Sequence, residues 1–375
     1  MTSINHQGAA GDLAIVFDNK RKFAAIGLYD PDSPIAIRIL HVGRPVQIDQ
    51  HFWTERVMAA AARRAPLVAA EPGARPAYRL INGENDAMPG FVVDRYADTL
   101  VIKLYSPVWF PHLAVLVDAL LAATGAGSVV LRLARNVAAG QTFGLADGDV
   151  IAGHLDDAPV RFTEGGLVFE ADVRRGQKTG HFLDQRANRL RVGRLAEGCD
   201  VLDVFASTGG FSVHAAAGGA RSVHSVDLSA PTLAAAKANM ALNIDRSEVA
   251  ACVHTTEVGD AFEVMSTLAR SGAGYDVVVS EPPSFAQKQS SVEGAVRAYA
   301  RLTHLALPLL RPGGVLVQAS CSSRVSADQF FAAVLGAADV AGDQLDELAR
   351  TGADLDHPVT FPEGAYLKAG FWRVR

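Results

Sequence analysis

Apolar and polar positions follow three successive regimes along the chain. Residues 13–17, 23–28 and 35–40 are short apolar runs separated by Asp18-Asn19-Lys20-Arg21 and Pro31-Asp32-Ser33-Pro34. They predict three strands of a small β unit, with a dozen polar, frayed residues before them. Residues 49–64 place Phe52, Val57, Ala60 and Ala61 near one face and predict a helix. Runs at 78–81, 90–94 and 99–105, a helical stretch at 112–124 and a run at 128–133 predict a small α+β unit. From residue 162 the alternation becomes regular. Apolar runs at 201–205, 222–226, 249–253, 275–279 and 314–319 interleave with helical stretches at 210–217, 231–242, 260–269, 292–310 and 327–338. Residues 365–374 supply a last strand. Five βα units in succession predict a parallel, doubly wound sheet.

Composition narrows the class. A length of 375 residues suits two or three domains, and a hydrophobic fraction of 49% supports buried cores rather than disorder. The expected division is a β unit at 1–45, a helical linker at 46–76, a central α+β domain at 77–160 and a doubly wound domain at 161–375. No strongly apolar run reaches the roughly 18 residues a membrane span needs. The longest charge-free stretch, 204–220, is broken by four glycines and a histidine. The start lacks a basic-then-apolar pattern, so a cytoplasmic protein without membrane association is expected. Cys199, Cys252 and Cys321 show no CxxC spacing, which excludes a disulfide framework and a Cys-only zinc site; no metal is expected. The net charge of −5 argues against a surface coated all over for nucleic acid. Residues 174–194 nevertheless hold seven basic residues against one acidic residue, Asp184, which is expected to N-cap the next helix.

In doubly wound sheets, ligands bind at the carboxyl ends of the strands. After the first strand comes Asp203-Val204-Phe205-Ala206-Ser207-Thr208-Gly209-Gly210-Phe211. The two glycines let the backbone turn tightly into a helix whose positive end faces the ligand. Asp227, 24 positions beyond Asp203, ends the second strand, where a carboxylate takes both ribose hydroxyls of an adenosine cofactor. Asp260 follows the third strand, placed for an adenine edge. Glu281-Pro282-Pro283-Ser284-Phe285 follows the fourth and Ser320-Cys321-Ser322 the fifth. A dinucleotide would require a third spaced glycine for its pyrophosphate, which this loop lacks. S-adenosylmethionine, which carries adenosine without pyrophosphate, fits better. Asp203, Phe205, Thr208, Gly209, Asp227, Leu228, Asp260, Glu281 and Pro282 are the candidate cofactor-binding residues. The competing reading makes Gly209-Gly210 a plain turn and Asp227 a helix cap.

Several segments carry a family likeness. Residues 176–186 read Gly-Gln-Lys-Thr-Gly-His-Phe-Leu-Asp-Gln-Arg, and the chain closes with Asp356-His357-Pro358-Val359 and Pro362-Glu363-Gly364-Ala365-Tyr366-Leu367-Lys368. To these add the 205–211 loop, the Pro282-Pro283-Ser284-Phe285 and Ser320-Cys321-Ser322 turns, and the middle segments 78–86, Pro89-Gly90 and Asp94-Arg95-Tyr96. With 17–40 included, nearly the whole chain resembles the bacterial large-subunit ribosomal RNA 5-methylcytosine methyltransferases that carry an N-terminal PUA domain. The resemblance implies an α/β architecture: a Rossmann-like methyltransferase sheet, a small α+β central domain and a truncated PUA-like β unit. It implies S-adenosylmethionine as cofactor, ribosomal RNA as partner, and allows a homodimer. Lys178 joins the cofactor set, and Lys178 and Arg186 form a phosphate-binding rim.

It also implies a mechanism. Carbon 5 of a pyrimidine is a poor nucleophile until a thiolate adds at carbon 6, and the family's cysteine falls on Cys321. Glu281, where the family has Asp, is the second catalytic candidate, facing the target base or the cofactor's methionine end. Glu363 is a candidate general base. Ser207 and His181 stand where the family has Tyr. Two other functions remain open: methyl transfer to uracil in RNA or to a small molecule, and RNA binding by a degenerate methyltransferase homologue.

Overall fold

Short runs rich in branched side chains set the first strands of this computed structural model, which describes residues 8–71, 73–286 and 288–375. Strands β1 (Leu13–Phe17), β2 (Phe23–Tyr29) and β3 (Ile37–Val42) form an antiparallel sheet in that order. Helix α1 (Gln50–Ala69) starts at Asp49, whose side chain accepts from Phe52 N at 3.0 Å. Then come β4 (Ala77–Asn82), β5 (Phe91–Tyr96), β6 (Thr99–Leu104), α2 (Leu113–Thr124), β7 (Ser128–Leu133), α3 (Arg135–Ala138) and β8 (Val150–Gly153). These five strands run in the order β4-β5-β6-β7-β8. Only β6 and β7 are parallel, and α2 makes the crossover that a parallel pair requires. Trp53, Val57, Leu80, Phe91, Trp109, Leu116 and Leu120 fill the core between sheet and helices. The stretch Pro107–Thr124 is apolar and long enough to cross a membrane by length and composition. Its Leu113, Leu116, Val117, Ala119 and Leu120 are buried in this core.

Two short strands follow, β9 (Val160–Glu164) and β10 (Leu167–Ala171), then α4 (Arg186–Leu195). The regular region gives β11 (Asp200–Val204), α5 (Gly210–Ala217), β12 (Ser222–Asp227), α6 (Ala230–Ala241), α7 (Ser247–Ala251), β13 (Val253–Val258), α8 (Ala261–Arg270) and β14 (Tyr275–Ser280). It continues with α9 (Val292–Ala306), β15 (Leu310–Ser320), α10 (Ala327–Ala341), β16 (Leu345–Thr351) and β17 (Lys368–Val374). The sheet order is β13-β12-β11-β14-β15-β17-β16. The first five strands are mutually parallel, and β17 lies antiparallel between β15 and β16. The order reverses at β11, so the ligand crevice of such a sheet opens at the carboxyl ends of β11 and β14. By contacts the chain divides into two units. One holds residues through Gly166, Ala171–Leu183 and Leu355–Pro358; the other holds Leu167–Glu170, Asp184–Asp354 and Val359–Arg375.

Several elements differ from expectation. The third strand of the large sheet begins at Val253 rather than at residue 249, and 247–251 is a helical turn. Val253, Thr255, Thr256 and Val258 are the branched residues of that stretch, while Ala250 and Ala251 prefer the helix. Helix α9 stops at Ala306 because Pro308 cannot continue it. Helix α1 instead runs past Arg64 and tolerates Pro66 near its end. Strand β16 went unforeseen, since Leu-Asp-Glu-Leu-Ala-Arg-Thr has no apolar run. Of the residues expected to fray, 1–7 lie outside the described residues, but the chain from Ala9 is tied down. Gly11 N bonds Tyr29 O at 2.9 Å and Tyr29 N bonds Asp12 O at 2.8 Å.

Candidate functional site

Strand β11 lies inside the sheet, which buries Asp203 at its carboxyl end to 1% exposure. Ser212 on α5 donates to Asp203 Oδ2 at 2.6 Å, and Ser212 and Ser225 hydroxyls lie 2.7 Å apart. Burial pushes the Asp203 carboxyl up to about 6. It pulls His254, 2.8 Å from Ser225 Oγ, down to about 4. Past Val204 the backbone turns through positive φ at Phe205 (63°), Ser207 (49°) and Gly209 (77°). Such angles are strained for non-glycine residues and persist only where surroundings enforce them. Here Ala206 N bonds Val226 O at 3.0 Å, Ser207 N bonds Asp227 Oδ2 at 2.9 Å, and Gly209 N bonds Ala206 O at 2.8 Å. A Cβ at Gly209 would come within 2.8 Å of Ala236 Cβ on α6, so this loop closes onto α6 only with glycine. Asn239 Nδ2 holds Thr208 O at 2.9 Å.

Asp227 ends β12. Besides Ser207 N, it accepts from Ser229 N at 2.9 Å and Thr232 Oγ1 at 3.3 Å. The side chain that N-caps α6 is Ser229, so Asp227 is a loop organiser whose Oδ2 keeps one lone pair to spare for a hydroxyl. Leu228 beside it is 74% exposed, an apolar surface at the mouth of the crevice. Asp260 is the N-cap of α8, its Oδ1 accepting from Phe262 N at 3.0 Å and Glu263 N at 3.2 Å. Carboxylate acceptors at two adjacent strand tips, a tight glycine turn and an exposed leucine make a surface suited to adenosine. The single Gly209-Gly210 pair lacks the spaced glycines a pyrophosphate needs.

The other side of the crevice is built on β14 and β15. Glu281 N bonds Val204 O at 3.4 Å, which ties the end of β14 to the end of β11. Pro282 is buried behind it. Cys321 follows the last residue of β15, half-buried, with Sγ 3.9 Å from Pro282 O. Around it, Tyr299 Oη on α9 lies 2.8 Å from Ser320 Oγ, and Ser322 Oγ donates to Ala286 O at 3.3 Å. Burial pushes Tyr299 up to about 12. Lys368 on β17 donates to Ser322 O and, at 2.6 Å, to Val325 O. Burial pulls Lys368 down to about 8. Sequence reasoning placed Lys368 in the closing motif without a role. The missed signal was one lysine inside the otherwise apolar run Leu367-Lys368-Ala369-Gly370-Phe371-Trp372. Cys199 and Cys252 lie outside this cluster, and burial raises both thiols, Cys252 to about 11.

Of the other expected residues, Arg186, Asp184 and His181 take structural places. Arg186 is buried and paired with Asp354 at 2.8 Å, so it is a folding contact rather than part of a phosphate rim. Asp184 is not the cap of α4, which begins after Gln185 without a side-chain cap, and Asp184 Oδ2 accepts from Tyr366 Oη at 2.9 Å. His181 is buried, its ring edge-on to Phe162 at 5.3 Å. Lys178 belongs to the other unit, exposed, with its ammonium 4.3 Å from the centre of the Phe182 ring. Glu363 sits exposed in a single helical turn, Pro362–Gly364.

Comparison with known proteins identifies the family. Residues 149–348 match the S-adenosylmethionine-dependent methyltransferase family, and residues 2–41 match a PUA-like domain. The chain is 48% identical to a ribosomal RNA large subunit methyltransferase of Deinococcus radiodurans, over 99% of this chain and 90% of that one. It is 36% identical to the ribosomal RNA large subunit methyltransferase I of Shewanella denitrificans, over 97% and 91%. A crystal structure complexed with SAH superposes with a TM-score of 0.83 at 22% identity, covering 98% of this chain and 93% of that one, which speaks to the fold. The chain therefore belongs to the S-adenosylmethionine-dependent methyltransferases, in the group of the ribosomal RNA large subunit methyltransferases with a PUA-like domain.

Proposed function

We propose that this enzyme methylates carbon 5 of a cytosine in large-subunit ribosomal RNA, with Cys321 as a covalent catalyst. The observation that carries the reading is the position of Cys321: it leaves the carboxyl end of β15, against the Glu281-Pro282 turn of β14, on the sheet edge where Asp203 and Asp227 form the adenosine cradle. In this reading Asp227 accepts a ribose hydroxyl, and Phe205, Thr208, Gly209 and Leu228 line the adenosine. Asp260 keeps acceptor capacity beyond its two capping bonds. S-adenosylmethionine, when bound, supplies a methyl group on a sulfonium. The Cys321 thiolate adds to carbon 6 of the pyrimidine, and the electron pair of the 5,6 double bond becomes nucleophilic at carbon 5. Carbon 5 would then accept the methyl group, the carbon–sulfur electron pair remaining on the departing sulfur. Loss of the carbon 5 proton to a base then restores the double bond and expels the thiolate.

Glu281 is placed to contact the base, one methylene longer than the aspartate of the resembling family. The target nucleotide must leave its stack to reach this crevice. The relatives' names point to ribosomal RNA as the acceptor, which supports a cytoplasmic enzyme that works with the ribosome. The division at 1–45, 46–76, 77–160 and 161–375 stands as our finer domain assignment, supported by the separate three-, five- and seven-stranded sheets.

RNA containing 5-fluorocytosine tests the chemistry, because fluorine at carbon 5 cannot leave as a proton and the adduct is trapped. The expected result is a cofactor-dependent protein–RNA adduct that Cys321→Ala abolishes. No adduct with the unsubstituted enzyme, or turnover by C321A, would overturn it.

A further inference from the structure

Strand β17 is enclosed between β15 and β16, and Lys368 stands opposite Ser320 in the β15 register. Its side chain is buried, with 5% of the residue exposed. A buried ammonium ordinarily sits against a carboxylate. Among the described residues none pairs with Lys368. Its hydrogen bonds go to two neutral carbonyls, Ser322 O and Val325 O, both in the turn that follows Cys321. Packing alone would be served as well by a methionine of similar length. The positive charge is thus held in place without being neutralised, against the turn that begins at Cys321.

Three described groups near the Cys321 thiol do not supply a positive field. Tyr299 on α9 stays neutral, since burial pushes it up to about 12. Glu281, after β14, carries the opposite sign. Arg324, in the same turn, is exposed to solvent.

We infer that Lys368 is a positioning residue for methyl transfer, clamping the 321–325 turn through two carbonyls and supplying the charge that holds Cys321 as a thiolate. The inference rests on Cys321 as the nucleophile. The thiol proton passes to solvent, and no other reactant is needed.

Iodoacetamide alkylation of Cys321, followed across pH by peptide mass spectrometry, reads the thiol without RNA or cofactor. The native enzyme should titrate at least one pH unit below the same peptide in urea. Lys368→Met should raise the native midpoint by at least one unit and slow adduct formation on 5-fluorocytosine RNA at pH 7.5 tenfold or more, while circular dichroism stays native. A native midpoint equal to that in urea would overturn the inference without any variant, as would a folded K368M with an unchanged midpoint. A low midpoint that rises in K368M upholds the charge pairing even where no RNA adduct forms, an outcome that overturns the covalent chemistry instead.

Discussion

Buried charge is treated in opposite ways in the core of the first unit and at the crevice edge of the methyltransferase sheet. In the first, Arg64 is fully buried and saturated: its Nη1 and Nη2 reach Asp86 Oδ1 and Oδ2 at 2.8 and 2.7 Å, and its Nε donates to Arg79 O at 2.9 Å. Asp94, equally buried, takes Arg79 at 2.8 and 3.0 Å and the Thr179 hydroxyl at 2.6 Å. In the methyltransferase sheet, Asp203 has serine for its hydrogen-bond partner and Lys368 has carbonyls. Their protonation equilibria move accordingly, Asp203 up to about 6 and Lys368 down to about 8. Paired charge is architecture. Charge left with neutral partners costs stability and creates a field, and both instances sit along one edge of the sheet, Asp203 near the carboxyl end of β11 and Lys368 opposite Ser320 at the carboxyl end of β15.

Removing one partner from each kind of site should break the comparison or sharpen it. The largest effect is expected for Asp86→Ala, which strands Arg64 without its carboxylate in the core. It should destabilise the first unit by about 3–5 kcal/mol in urea unfolding. A loss below about 1 kcal/mol would mean that the pair is not architectural.

Asp203→Asn should act with the opposite sign. The raised carboxyl favours the protonated native state, so stability is fully present below the ordinary aspartate range near 4 and is lost as pH rises through about 6. A shift of about two units corresponds to about 3 kcal/mol at most. The asparagine variant should therefore be more stable than the parent at pH 7.5, with the difference vanishing toward pH 4. It should also bind S-adenosylmethionine more weakly. Parallel stability curves across that window would refute the assignment.

The smallest effect is expected at Leu228, which carries no buried contact. Leu228→Ala should weaken cofactor binding by about 1 kcal/mol in calorimetry, roughly fivefold, and leave the melting temperature unchanged. Unchanged affinity would remove Leu228 from the cradle.

Much of this was legible in residue pattern. The parallel core of the sheet followed from regular βα alternation, and the meeting of an acidic strand tip with the glycine turn, Asp227 on Ser207 N, from the residues that follow the first two strands. What escaped depends on partners distant in the chain. Arg186 read as a basic rim because its neighbours are basic, yet Asp354 buries it from 168 positions away. Asp184 looked like a cap until Tyr366, 182 positions on, claimed it. Strand β16 has no apolar run because it is the sheet's edge and alternates only weakly. Lys368 was visible as a lysine in a strand, but its two carbonyl partners lie in a turn that only folding brings to it.

The central claim is methyl transfer to ribosomal RNA by Cys321. Mass spectrometry of large-subunit ribosomal RNA from cells lacking this protein tests it most directly. The account predicts that one 5-methylcytidine disappears, returns with the unsubstituted gene and does not return with C321A. An unchanged methylation pattern, or restoration by C321A, would contradict it.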